Sequence, residues 1–207
     1  MDPGILRLTD PLEEFDVLEL LGEGSYGAVY KAVAKDGKSG PCAVKIMAAE
    51  DGLEELGRES SVLNECRSPF VVNFRGCYNF GGDVWIFMDY CEGGSLSDVR
   101  DATQRTLTEE EIRVVCAFTC LGLDFLHSQR RLHRDIKAGN ILLDSDGMAK
   151  LADFGISAEV TDAVTKRKTV IGTPFWMAPE VIQEIGYDGK ADVWSLGITC
   201  IELAEGQ

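Results

Sequence analysis

Residues 133–140 read HRDIKAGN, and Asp153, Phe154 and Gly155 follow after a short hairpin pattern. Moving a phosphoryl group onto a hydroxyl needs a residue that orients the attacking oxygen, a cation beside the phosphate and hard oxygen ligands for magnesium. Asp135 can accept the hydroxyl proton, Lys137 can neutralise phosphate charge, and Asn140 and Asp153 can hold Mg2+. Upstream, Gly22, Gly24 and Gly27 in GEGSYGAVYK let backbone N–H groups approach phosphate oxygens closely. The β-rich AVYKAV that follows suits a glycine-rich flap within a hairpin rather than the strand-to-helix turn of a dinucleotide fold. On these residues alone a plain flexible hairpin stays open. Lys45, in the apolar run CAVKI, needs an anionic partner if it is buried, and Glu59 is the candidate; a strand-edge lysine reaching solvent would look the same.

These side chains need a frame. From Phe15 to Asp89 short β-rich runs dominate (FDVLELL, GAVYKAV, CAVKIM, VVNFRGCY and VWIFMDY), with Gly81 and Gly82 turning between the last two. A mostly antiparallel sheet is expected there, interrupted by a helix at about 52–65 carrying Leu53, Leu56 and Leu63. After Leu96 the pattern is mainly helical. Thr108 and Glu111 form a capping box ahead of Ile112, Val115, Cys116, Thr119, Leu123 and Leu126 at helical spacing. ILL and AKLA flank Asp146 and Gly147, a hairpin signal. The final ADVWSLGITCIELAEG is apolar nearly all round, which predicts a helix buried on every side.

With 207 residues and 45% apolar content, one sizeable core, divided between two lobes, is expected. The net charge of -15 disfavours a phosphate-backbone partner, so nucleic-acid binding is not expected. Seven cysteines without a C-x-x-C pair suit small buried hydrophobes in a reducing compartment, and a cytoplasmic location is the expectation. No apolar run reaches the ~18 residues needed to cross a bilayer, so membrane insertion is not expected.

Taken together, GEGSYGAV, AVKI, HRDIKAGN, DFG and APE resemble the signature set of eukaryotic protein kinases. More narrowly, VIGTPFWMAPEVIQEIGYDGKADVWSLGITCIELAEG is similar to sterile-20-like serine/threonine kinases, and VIQEIGY, TLTEEEI and TDAVTKRKT resemble the MST/Hippo branch. The resemblance implies an α+β bilobal fold: an extension at 1–14, then a kinase domain at 15–207. Within it, a β-rich N-lobe with one regulatory helix spans about 15–88, a hinge 89–94, and an incomplete, mainly helical C-lobe 95–207.

The same resemblance implies ATP and Mg2+ as cofactors. Lys45, paired with Glu59, would hold the α/β-phosphates, and the loop Gly22, Glu23, Gly24, Ser25, Tyr26, Gly27 and Ala28 would cover the nucleotide. Leu21, Val29, Ala43 and Leu142 would sandwich adenine, with Met88 as gatekeeper and the backbone of Asp89 and Cys91 at the base edge. Lys137 and Thr173 would position an aliphatic hydroxyl; Arg134 would pair with a phosphorylated activation-segment residue, of which Thr169 is the preferred site. Leu63, Phe74, His133 and Phe154 would stack as a spine anchored by Asp192. Protein substrates are implied, among them other serine/threonine kinases and adaptor proteins, together with autophosphorylation in trans.

The resemblance also leads us to expect further helices after Gln207, so that Ile198, Ile201 and Leu203 would lack partners. Two functions therefore stand: a protein serine/threonine kinase, and a catalytically silent nucleotide-binding or interaction module. Retention of Lys45, Asp135 and Asp153 favours the first.

Overall fold

The computed structural model describes residues 6–24, 27–49, 67–152, 158–159, 173–186 and 188–206. The chain divides into two compact units, residues 1–67 with 72–90, and residues 68–71 with 91–207. The helix expected at about 52–65 lies outside the described residues.

The first unit is a six-stranded sheet built from β1 (Leu6–Arg7), β2 (Phe15–Gly24), β3 (Gly27–Ala34), β4 (Cys42–Ala48), β5 (Phe74–Phe80) and β6 (Asp83–Asp89). The order is β1-β5-β6-β4-β3-β2, antiparallel except for the β1–β5 pair. Phe80 pairs with Asp83, so Gly81 and Gly82 alone make the turn, at φ 67° and 92°. Two successive positive φ values match the right-handed strand twist and favour glycine at both places. The stretch ahead of Phe15, read from sequence as an extension, supplies β1. Arg7 there donates to the Tyr78 hydroxyl at 2.7 Å and to Glu14 at 2.9 Å.

Strand alternation sorts the sheet into two faces. Ala32, Cys42, Val44, Tyr78 and Phe87 cluster on one, and Met47, Cys77, Val84 and Ile86 on the other. The register Val29↔Lys45↔Ile86 and Ala43↔Met88 places Val29, Ala43, Lys45 and Met88 on the second face. Gly27 makes this arrangement possible. Its φ is 114°, and a Cβ there would overlap the backbone carbonyl of Ile46 in β4 and approach the Met47 Cβ at 3.1 Å. Gly27→Ala is therefore expected to cost about 1–3 kcal/mol, from overpacking and a disfavoured φ, as a lowered urea midpoint. An unchanged midpoint would show that β3 shifts freely.

The second unit contains β7 (Gly94–Ser95), α1 (Leu96–Thr103), α2 (Glu109–Ser128), β8 (Arg131–Leu132), β9 (Ile141–Leu143), β10 (Ala149–Leu151), β11 (Ala158–Glu159), α3 (Pro179–Ile182) and α4 (Lys190–Glu205). Strands pair antiparallel as β10-β9-β7 and β11-β8. Two of the helices, α1 and α2, begin with capping boxes. Thr108 exchanges hydrogen bonds with Glu111 as its spacing predicts, and Ser95 with Asp98 does the same for α1. Val71, Leu96, Leu123, Leu126, Ile136, Ile141, Leu151, Leu196 and Leu203 form one core that joins α1, α2, α4 and β9–β10.

The last helix corrects the sequence reading. α4 is not buried on every side: Val193, Trp194 and Ile201 are 58%, 46% and 58% exposed. What it buries is largely polar, namely Asp192, Ser195, Thr199 and Glu202, together with Leu196 and Leu203. Nor does Leu203 lack partners, as it is fully buried and its carbonyl accepts the Leu107 N–H at 3.0 Å. The reason lies in spacing. Asp192, Ser195, Thr199 and Glu202 recur at steps of three, four and three, which places them on one stripe of a helix.

Candidate active site

In the second unit the loop after β8 carries Asp135, Lys137 and Asn140. His133 and Arg134 leave the strand with Arg134 at φ 74°, a conformation that non-glycine residues seldom adopt. Asp192 of α4 holds this turn, since its Oδ2 accepts the His133 N–H at 3.0 Å and its Oδ1 the Arg134 N–H at 2.8 Å. His127, at the end of α2, donates from Nε2 to Oδ2 at 2.8 Å. Burial opposes the charge on Asp192, but His127, His133 and the two backbone donors outweigh it and keep its pKa below the usual carboxylate value. The His133 ring is fixed as well. Its Nε2 donates to the Ala152 carbonyl at 2.9 Å and the Asp135 N–H lies 3.3 Å from its Nδ1.

Asp135 then stands with every donor turned towards it. Lys137 Nζ donates to Oδ2 at 2.9 Å and Asn140 Nδ2 donates to the same oxygen at 2.8 Å. Oδ1 accepts from the Thr173 N–H at 3.0 Å and the Thr173 hydroxyl at 2.7 Å. Lys137 also donates to the Thr173 hydroxyl at 2.9 Å, so three side chains from two chain segments close a triangle. Burial pushes the Asp135 pKa up, the donations from Lys137, Thr173 and Asn140 push it down, and the balance leaves it lowered. The carboxylate is ionised at neutral pH and aimed where a substrate hydroxyl could donate to it.

Asn140 bears on magnesium. Its amide hydrogens go to the Asp135 carbonyl at 2.7 Å and to Asp135 Oδ2, which leaves the amide oxygen, unbonded among the described residues, as a hard ligand atom. The residues present therefore fit a hard divalent cation on this side. Asp153, the other expected ligand, lies outside the described residues.

In the first unit, Val29, Ala43, Lys45 and Met88 share one face of the sheet, with Ala43 buried and Lys45 half-buried. The small Ala43 and the apolar Val29 fit a flat aromatic base. Leu21, Gly22, Glu23 and Gly24 lie on β2, Ala28 on β3 next to Gly27, and Leu21 is 44% exposed. The Asp89 N–H is already bonded to the Asn73 carbonyl at 2.9 Å, and its carboxylate holds Asn73 and Arg75. Cys91 begins the second stretch of the second unit, where Leu142 sits on β9. Ser25, Tyr26, Glu59 and Thr169 lie outside the described residues, as do Leu63 and Phe154.

Glu202 was missed in the sequence. It is 8% exposed, and its Oε2 accepts the Ala138 N–H at 3.0 Å and the Trp176 Nε1–H at 2.9 Å. One carboxylate oxygen thus ties the loop of Lys137 to the turn that follows Thr173. The polar stripe on α4 was the available signal. Glu202→Ala is expected to cost about 1–3 kcal/mol by leaving the buried Ala138 N–H unpaired, whereas Glu202→Gln retains an acceptor and should cost less. Urea midpoints of the two variants measure the difference.

The glycine-rich strand pair, the lysine strand and the Asp135 loop define a phosphotransferase. The chain matches the protein kinase domain over residues 15–207 and belongs to the protein kinase family. Domains of this family bind ATP and use Mg2+, which neutralises phosphate charge when bound. Among the described residues, no helix is long and apolar enough to cross a membrane.

Proposed function

We propose that the chain is a protein serine/threonine kinase of the sterile-20-like group, MST/Hippo branch, transferring the ATP γ-phosphate to serine and threonine hydroxyls of proteins. The observation that carries this reading is the closed triangle of Asp135, Lys137 and Thr173. The Thr173 hydroxyl occupies one oxygen of Asp135 and is itself held by Lys137, so an aliphatic hydroxyl is a group these two side chains already orient. In the reaction Asp135 orients the attacking hydroxyl and takes its proton, Lys137 faces the phosphate charge, and Asn140 helps hold the metal. On the first unit's sheet face Lys45 would meet the α/β-phosphates, with Val29, Ala43 and Met88 lining the base. Asp153 as second metal ligand, Glu59 as partner of Lys45 and Thr169 as the activating phosphosite belong to the same proposal. So do a cytoplasmic location, kinase and adaptor substrates, and trans-autophosphorylation.

The test is transfer of labelled phosphate from Mg-ATP to three peptides that differ only in a central serine, threonine or tyrosine. Labelling of the first two and not the third is expected, and none with Asp135→Asn. Preferential labelling of tyrosine would overturn the substrate class. No transfer, with Mg-ATP still protecting the wild type against thermal unfolding and Lys45→Met unprotected, would point instead to a silent nucleotide-binding module.

A further inference from the structure

The middle of α2 is apolar on both sides. Residues 112–123 read IRVVCAFTCLGL, with Arg113 the one charge, and Val115, Thr119 and Leu123 are buried. A helix of that composition is ordinarily covered all round. Yet Val114 and Leu121 are 53% and 47% exposed, and Ala117 between them is exposed as well. Followed outwards in both directions, this stripe meets Glu110 and Asp124, both exposed. Glu110, Val114, Ala117, Leu121 and Asp124 recur at steps of four, three, four and three, so they form one straight seam along the helix. That is the spacing with which a second helix interlocks. Arg113, beside the seam, pairs with Glu109 at 3.7 Å, and among the described residues the carboxylates of Glu110 and Asp124 have no ion-pair partner. Cys120, read from sequence as a buried thiol, is exposed next to it.

We propose that this seam of α2 is a docking site for an amphipathic helix of a partner protein, one whose apolar stripe is bracketed by two basic residues. Charge selects the occupant. A second copy of this chain would set Glu110 against Asp124 in antiparallel pairing, or each acid against itself in parallel pairing, and both chains carry a net charge of -15. Like charges placed opposite one another at an interface are unfavourable. A helix with a lysine or arginine at each end of its apolar stripe meets an opposite charge at both ends, whichever way it runs, so the acids that reject a second copy favour this partner. A membrane surface fits less well, because anionic headgroups repel the two acids that frame the apolar patch. Length is set as well. From Glu110 to Asp124 the seam spans about 21 Å, so the partner helix needs about four turns. Its apolar anchors fall three and four residues apart to meet Val114, Ala117 and Leu121. None of these residues belongs to the Asp135 loop, so docking and phosphoryl transfer can be measured separately.

The probe is a fluorescein-labelled helical peptide with three leucines at the seam's spacing between two lysines. Its controls are a scrambled peptide of the same composition and a peptide in which both lysines are glutamates. Fluorescence anisotropy with the whole chain should show saturable, micromolar binding of the lysine peptide, the affinity of a small interface. Both controls should bind at least about tenfold more weakly. Val114→Ser combined with Leu121→Ser, at exposed positions, should weaken binding of the lysine peptide by at least about tenfold, because the apolar contacts are lost. Glu110→Lys combined with Asp124→Lys leaves the apolar residues in place and should reverse the preference, so that the glutamate peptide binds better than the lysine peptide. The proposal is overturned if the scrambled peptide binds as well as the lysine peptide, if the serine variant binds at wild-type affinity, or if the charge reversal leaves the preference unchanged. Self-association of the chain that the serine substitutions abolish would make a second copy the occupant, and binding to phosphatidylcholine vesicles with the same sensitivity would make it a membrane; either result overturns the partner helix.

Discussion

Replacing Asp135 with asparagine is expected to lower phosphate transfer by about 10²–10⁴-fold, the range a positioned acid–base group contributes, with KM for ATP nearly unchanged. Among the described residues, every hydrogen-bond partner of this carboxylate is a donor: Lys137, Asn140, and the backbone and hydroxyl of Thr173. An asparagine must turn its NH2 group against one of these pairs, so the variant loses the proton acceptor and disturbs the triangle that orients it. The charge state of Asp135 also fixes the pH behaviour. Because its pKa is lowered, Asp135 is already ionised at neutral pH, and an acid limb of activity set by its protonation is expected below the ordinary carboxylate range. A base this weak accepts a proton late, which suits a loose phosphoryl-transfer transition state in which positioning matters more than proton abstraction. Steady-state rates with labelled ATP decide the matter; an asparagine variant within about threefold of wild type would remove Asp135 from the reaction, since a positioned base should contribute far more.

The two regions of the sequence were legible to different degrees, for physical reasons. Period-two runs such as CAVKIM and VWIFMDY and the Gly81–Gly82 turn specify strands and register locally, and the Thr108–Glu111 box specifies a helix start within four residues. The Asp135 loop could be read because its chemistry is packed into eight consecutive residues. The link from Asp135 to Thr173 spans 38 positions, and nothing in its spacing shows which donors share a carboxylate oxygen. β1 escaped notice because two residues, Leu6 and Arg7, carry no periodicity, and their place depends on Tyr78. α4 was misread for a more instructive reason. Hydropathy alone makes a helix rich in Val, Trp, Leu and Ile look buried all round, whereas the position of its few polar residues decides the face. Asp192, Thr199 and Glu202 meet, in order, the backbone of His133 and Arg134, of Ile136, and of Ala138. A polar stripe inside an apolar helix follows a partner whose own groups are backbone N–H and C=O, and that partner is the loop holding Asp135.

That correspondence makes Asp192 the residue whose loss should cost most in stability. Asp192→Ala strands the N–H groups of His133 and Arg134 in a buried setting, at about 1–3 kcal/mol each, for a total of about 2–6 kcal/mol. Such a loss is a large part of the ~5–15 kcal/mol that holds a typical domain folded. His127 is more exposed and can turn to water, so it adds little. Arg134 compounds the effect, because its φ of 74° is held by the bond to Asp192 Oδ1, and without it the loop relaxes towards ordinary φ and carries Asp135 away from Thr173. Activity should therefore fall even where the variant remains folded. Asp192→Asn separates charge from hydrogen bonding, since it keeps one acceptor oxygen. The folded-state pKa of Asp192 is lowered, so its ionic contribution is complete above the unfolded carboxylate value of about 4 and is lost as pH falls through the lower folded value. The gap in urea midpoint between wild type and Asp192→Asn should accordingly be constant at neutral and weakly acidic pH and narrow only below about pH 4. A gap that widened on acidification would mean that Asp192 binds protons more readily folded than unfolded, and the charge-stabilised anchor inferred from its three donors would be wrong.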